Sequence, residues 1–160
     1  FVLDAPLSEI LVAVGERVEK GQLVAETGSS GAALGPHFHM EVRVGENIYA
    51  NTRNPQLWMA PFEGRGAVAV RLVNQDGQTI PDHPVVLSRA ALPRVIYRGS
   101  LTYTDNHVNG DDVFNENAVF GDIPSGPYWV RAAMGGYEFA APALVMPGRT
   151  TVINLELPAE

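Results

Sequence analysis

Residues 35–44, "GPHFHMEVRV", place two histidines one residue apart and then alternate polar with apolar side chains. In a strand, successive side chains point to opposite faces. His37, His39, Glu41 and Arg43 then share one face, and Phe38, Met40, Val42 and Val44 share the other. The apolar set is a core face. On the polar set, the Cα atoms of the two histidines would sit roughly 7 Å apart, close enough for both rings to converge on one metal or one water. By itself His-x-His is a weak signal, because a half-exposed strand with two surface histidines has the same pattern.

The flanks read the same way. "VLDAPLSEILV" (2–12) is a strand or an extended approach to one, and "VAVGERVEKGQLVAETG" (12–28) suggests short strands joined by turns at Gly15 and Gly21. "GSSGAALGP" (28–36) is too rich in small residues for a core element and delivers the chain into the histidine strand. "GEN" (45–47) predicts a hairpin turn, and Leu57, Trp58 and Met59 close the segment with apolar anchors. "APFEGRG" (60–66) has no periodicity, so a linker is expected at 61–65 between a first domain, 1–60, and a second, 66–160. After it, strand and turn alternate through "AVAVRLV", "PVVLSR", "VIYRGSLTYT", "ENAVFGDI", "PYWVRAAM", "GGYEFA" and "TTVINLEL". About seven strands at this spacing predict a β-sandwich.

Bulk composition excludes several classes. The net charge of −7 argues against nucleic acid as a partner, since phosphate binding needs clustered Lys and Arg. The basic residues are spread, four against seven acidic in 1–62 and seven against eleven thereafter. No apolar run is long enough for a membrane span. With no cysteine, disulfides and Cys-based zinc sites are excluded. The chain begins at Phe1, without a secretory signal pattern, and reads as starting inside a longer protein.

Together, "VAVGERVEKGQLVAETGSSGAALGPHFHMEVRVGENIYANTRNPQLWM" resembles the lysostaphin-type (LytM-like) zinc endopeptidases, which cut peptide cross-links in bacterial cell walls. That family carries V-x-x-G-[DE]-x-V-x-x-G-Q, then G-[ST]-[ST]-G, then G-P-H-[LF]-H-x-E-[VL]-R, then N-P. All of these parts occur here in order, across about residues 7–59. The resemblance implies that His39 is a zinc ligand and that His37 is catalytic, hydrogen-bonding the metal-bound water or the developing oxyanion. It implies Zn2+ as cofactor, peptidoglycan cross-link peptides as substrate, and a place outside the cytoplasm, in the envelope or secreted. It assigns no substrate-binding residue. The chemistry agrees, since an open zinc site acidifies a water and a neighbouring imidazole can move its proton.

The resemblance also implies two further zinc ligands, a His and an Asp, on a segment upstream of Phe1, and a family histidine where this chain has Pro6. Residues 1–60 are therefore expected to be the C-terminal part of a peptidase domain, too short of ligands to hold zinc tightly or to hydrolyse peptidoglycan alone. The alternative is a non-enzymatic envelope binding or scaffold protein with a degenerate peptidase-like domain. Nothing positions Asp4 as a ligand, and His83 and His107 fall in turns of the second domain. Glu41 would either orient an imidazole or be a solvated edge carboxylate, the second being the commoner state. A biotinyl- or lipoyl-carrier reading of V-x-x-G-E-x-V-x-K-G-Q is disfavoured because the lone lysine, Lys20, is not at a hairpin tip.

Residues 66–158 resemble transthyretin-like or carboxypeptidase-regulatory-like sandwiches, through "VNQDGQTIPDHPVVL", "YTDNHVNGDDVFNENAVFGDIPSGPYWVRA" and "GGYEF". The resemblance implies a non-catalytic spacer, or a module binding glycan or protein. Asp105, Asn109, Asp111 and Asp112 suggest calcium, but without the spacing of a known calcium loop. Asx-rich turns of this kind usually satisfy their own backbone. Tyr128, Trp129 and Tyr137 are expected in the core more than on a binding surface. The fold class is thus all-β: a partial antiparallel β-sheet peptidase domain followed by a seven-stranded immunoglobulin- or prealbumin-like β-sandwich.

Overall fold

The computed structural model describes residues 2–5, 7–28, 39–104 and 108–158, with backbone alone for 2–5 and 39. Regular structure among them is β-strand, apart from two single turns of 3-10 helix. None of their helices is long and apolar enough to cross a membrane.

The first five strands are β1 (Val2–Ala5), β2 (Leu7–Ile10), β3 (Ala25–Thr27), β4 (His39–Arg43) and β5 (Thr52–Arg53). The His-x-His segment is a strand over its described part, and β4 is the centre of an antiparallel sheet ordered β1-β4-β5. Val2 pairs with Val42 and Ala5 with His39, while Val42 also meets Arg53 on the other side. Val42, from the apolar set, is buried at 3% exposure.

β2 and β3 form a separate two-stranded ladder. The expected extra strands between them do not form, although the expected glycine turns do. Gly15 and Gly21 adopt φ of 83° and 86°, the left-handed region that glycine enters without steric cost. Each turn is sealed twice. Glu16 N–H donates to Ala13 O while Glu16 Oε2 accepts from Ala13 N–H at 2.9 Å. Gln22 repeats the device on Glu19, with its N–H on Glu19 O and its Oε1 on Glu19 N–H at 3.0 Å. These groups are committed to local rings and cannot join a ladder.

The remaining strands are β6 (Arg65–Val73), β7 (Pro84–Arg89), β8 (Ile96–Leu101), β9 (Ala118–Pro124), β10 (Gly126–Met134), β11 (Tyr137–Val145) and β12 (Thr150–Glu156). They form a four-stranded sheet, β11-β10-β7-β8, and a three-stranded sheet, β12-β6-β9. β12 runs parallel to β6, and every other pair is antiparallel. Inward residues of both sheets, among them Val70, Leu72, Leu87, Phe120 and Val130, make one core. Tyr128 belongs to it, with its hydroxyl on Pro124 O at 2.9 Å, whereas Tyr137 is exposed. Where β9 begins, buried Asn117 acts as a short strand of its own. It accepts from Leu72 N–H at 2.7 Å and donates to Leu72 O at 2.9 Å.

The stretch at 61–65, expected as a linker, is hydrogen-bonded to the sandwich. Phe62 N–H donates to Asp122 Oδ1, Ser125 N–H to Gly64 O, and Arg65 Nη1 to Asp122 O and Oδ2. Gly66 lies inside β6, where a Cβ would meet the carbonyls of Met146 and Arg149. Its glycine serves close backbone approach, not flexibility.

Candidate metal-binding strand and its surroundings

His37 lies outside the described residues, and of His39 only the backbone position is defined, at the start of β4 opposite Ala5. The expected convergence of the two rings therefore falls outside what the structure describes. Asp4 pairs in register with Met40, so it occupies the alternate face from positions 39 and 41. Among the described residues, no three His, Cys, Asp or Glu side chains group closely enough to hold a metal. The described donors thus do not amount to a zinc site.

The polar face continues at Glu41 and Arg43. Arg43 Nε and Nη2 donate to Glu41 Oε2 at 3.0 and 2.7 Å. Two residues apart on a strand, they share a face, as the alternation requires. The Glu41 side chain is only 16% exposed, so it is not the solvated edge carboxylate that composition suggested. Arg43 also donates to Asn47 Oδ1 at 3.3 Å and stacks over the Tyr49 ring at 5.8 Å. The arginine thereby ties the far end of the strand to the loop that returns as β5, a charge-assisted anchor.

β5 leads to a turn of 3-10 helix, Pro55–Leu57, whose cap explains the Asn-Pro pair. Asn54 Oδ1 accepts from Gln56 N–H at 3.0 Å, and Pro55 occupies the first position, where no N–H is needed. From here the segment docks on the sandwich. Gln56 Oε1 accepts from Gly121 N–H at 2.6 Å. Asn109 Nδ2 donates to Ala50 O and Thr52 O, and Arg53 pairs with Asp112 at 3.0 Å.

The acidic loop is accordingly occupied by protein partners. Asn109 and Asp112 hold the first segment, and Asp111 Oδ1 accepts from Val113 N–H at 2.9 Å. Asp105 and His107 lie outside the described residues. Glu116, 2% exposed, closes the loop from within, accepting from Asp111 N–H at 2.9 Å and Tyr103 Oη at 3.0 Å. Burial pushes its carboxyl above the usual range, against the lowering effect of those hydrogen bonds. Tyr103 is raised for the same reason, with the Glu116 charge adding to it. His83 sits on the approach to β7, with its backbone N–H on Thr102 Oγ1.

Sequence reasoning missed this docking. Its one visible trace was the run of Asx residues at 109–112, which read as a self-contained turn. No curated protein matches the chain. The strands around position 39 nevertheless carry a family signature: residues 2–53, spanning β1 to β5, match Peptidase family M23.

Proposed function

We propose that the first 60 residues are the histidine-bearing part of a zinc metalloendopeptidase domain of the peptidoglycan-hydrolase type, acting outside the cytoplasm. The observation that carries this reading is the peptidase-family match over residues 2–53. Supporting it, β4 is a central strand with Val42 buried and the Glu41–Arg43 pair fixed on the polar face.

In this reading His39 is the metal ligand and His37 the proton-moving imidazole. Zinc, when bound, would supply Lewis-acid polarisation of a peptide carbonyl and an acidified water. The 160 residues alone provide one matched ligand, against the three that a catalytic zinc needs. Residues 66–160 are proposed as an accessory sandwich.

The test uses purified peptidoglycan incubated with the full natural polypeptide that carries these residues. Release of new amino termini, abolished by His37→Ala and by His39→Ala, is expected; release unchanged in both variants overturns the reading. Pro6, at the position of a family histidine, favours a second reading as a non-enzymatic wall binder. That protein would bind the wall and release no amino termini.

A further inference from the structure

Between the 56–62 segment and the sandwich lies an open groove of about 770 Å³. That volume suits a small ligand, and clefts at the junction of two structural units are a common place for ligand sites. One wall is apolar, formed by Leu57, Trp58, Met59 and Phe62; Trp58 is 52% and Phe62 72% exposed. Two arginines also line the groove, Arg98 on β8 and Arg149 just before β12.

The floor of the groove is already satisfied. Gln56 holds Gly121 N–H, and Asp122 holds Phe62 N–H and Arg65. The arginines are not: among the described residues neither Arg98 nor Arg149 has a carboxylate within ion-pair distance, and Arg98 gives one N–H to Gly121 O. In a chain of net charge −7, two cations without acidic partners beside exposed aromatic surface make a selective place for an anion. Guanidinium groups match carboxylates with paired, charge-assisted hydrogen bonds, and the apolar wall suits short aliphatic side chains.

The geometry points to this groove as a binding site for a carboxylate-bearing peptide of the wall stem-peptide class, separate from the histidine strand. The choice of peptide rests on the wall-hydrolase reading; the groove itself does not. It would hold the substrate's acidic peptide while chemistry occurs elsewhere.

The test is a titration of the chain with synthetic L-Ala-γ-D-Glu-L-Lys-D-Ala, followed by the Trp58 indole resonance. EDTA is present throughout, so that a failure of the zinc reading leaves the result intact. Saturable binding is expected, weakened at least about tenfold by Arg149→Gln and by conversion of the peptide's carboxylates to carboxamides. Lys20→Gln, an equal loss of charge at a distant exposed site, should leave it unchanged. Trp58→Ala, whose binding is followed by calorimetry instead, should weaken binding through loss of the apolar wall. Absence of saturable binding overturns the proposal, as does binding equally tight in Arg149→Gln or with the carboxamide peptide. Binding of chitotetraose in preference to the peptide would make the groove a glycan site and equally overturn it.

Discussion

Gln56 Oε1 lies 2.6 Å from the backbone nitrogen of Gly121, and this contact joins the turn after β5 to the edge strand of the sandwich. β9 is an edge strand, and an unpaired edge N–H invites association with other chains. Between the pairs Gly66–Ile123 and Val68–Phe120, β9 carries one residue more than β6. The resulting bulge puts Asp122 at φ 52°, where it accepts from Phe62 N–H, beside Gly121 facing Gln56. A Cβ on Gly121 would stand 2.7 Å from Gln56 Oε1.

Substitutions at the two positions should therefore be coupled. Gln56→Ala and Gly121→Ala should each lower stability by about 1–3 kcal/mol, since each removes the partner of a backbone donor. In the double variant, Gly121→Ala should cost less than it does alone, because the side chain it displaces has gone. Urea unfolding of the four proteins measures the cycle. Strictly additive losses would mean that the contact carries no energy.

Glu116 makes stability depend on pH with a definite sign. Its folded pKa is raised above the ordinary 4.5, chiefly by burial. A raised group binds its proton more tightly in the folded state, so its contribution is full below the unfolded pKa and is lost as pH rises through the folded value. Glu116→Gln can still accept from Asp111 N–H and keeps a polar partner for Tyr103, but it does not titrate. The stability of the natural protein relative to this variant should fall as pH rises above the ordinary carboxylate range. A flat or rising difference in chemical denaturation would contradict the assignment.

Asn117 substitutes for a strand, and its loss should be severe for one side chain. Asn117→Ala leaves Leu72 N–H without its partner in the interior, while Leu72 O keeps Ile80 N–H, and should cost about 2 kcal/mol. A loss below about 1 kcal/mol, read from the denaturation midpoint, would show that water replaces the amide there.

The pattern of early proteolysis should follow hydrogen bonding, not glycine content. Arg17 and Lys20 lie in the exposed double turn between β2 and β3, whereas Arg65 is paired in β6 and bonded to Asp122. Limited trypsin treatment should cut after Arg17 or Lys20 before Arg65. First cleavage at Arg65, with release of an intact sandwich, would mean that the 61–65 contacts open easily.

Much of the fold was legible because period-two alternation records which face is buried. β4 and the sandwich strands stand close to where alternation and turn residues put them, and the Asn74–Gln78 turn forms around Gly77 at φ 76°. Three features were not legible. Apolar residues at 12–24 read as strands, but Glu16 and Gln22 cap their own turns and withdraw the backbone from pairing. Glycine at 64 and 66 read as slack, yet Gly66 is required by a close carbonyl. Glu41 read as solvated because alternation puts it on the face of Arg43 without saying that the two pair or how far they are buried. The motif around His37 and His39 was legible as a family pattern, while ligand geometry depends on long-range packing that no local spacing encodes.

The central claim, that the His-x-His strand is a zinc-binding element, is tested most directly by the histidines themselves. The chain has four, so a zinc titration can be followed at each imidazole by NMR. The account predicts weak binding, roughly micromolar or poorer, in which the rings of His37 and His39 respond first and His39→Ala abolishes the response. Tight one-to-one binding that survives His39→Ala, or a first response at His83 or His107, would contradict it.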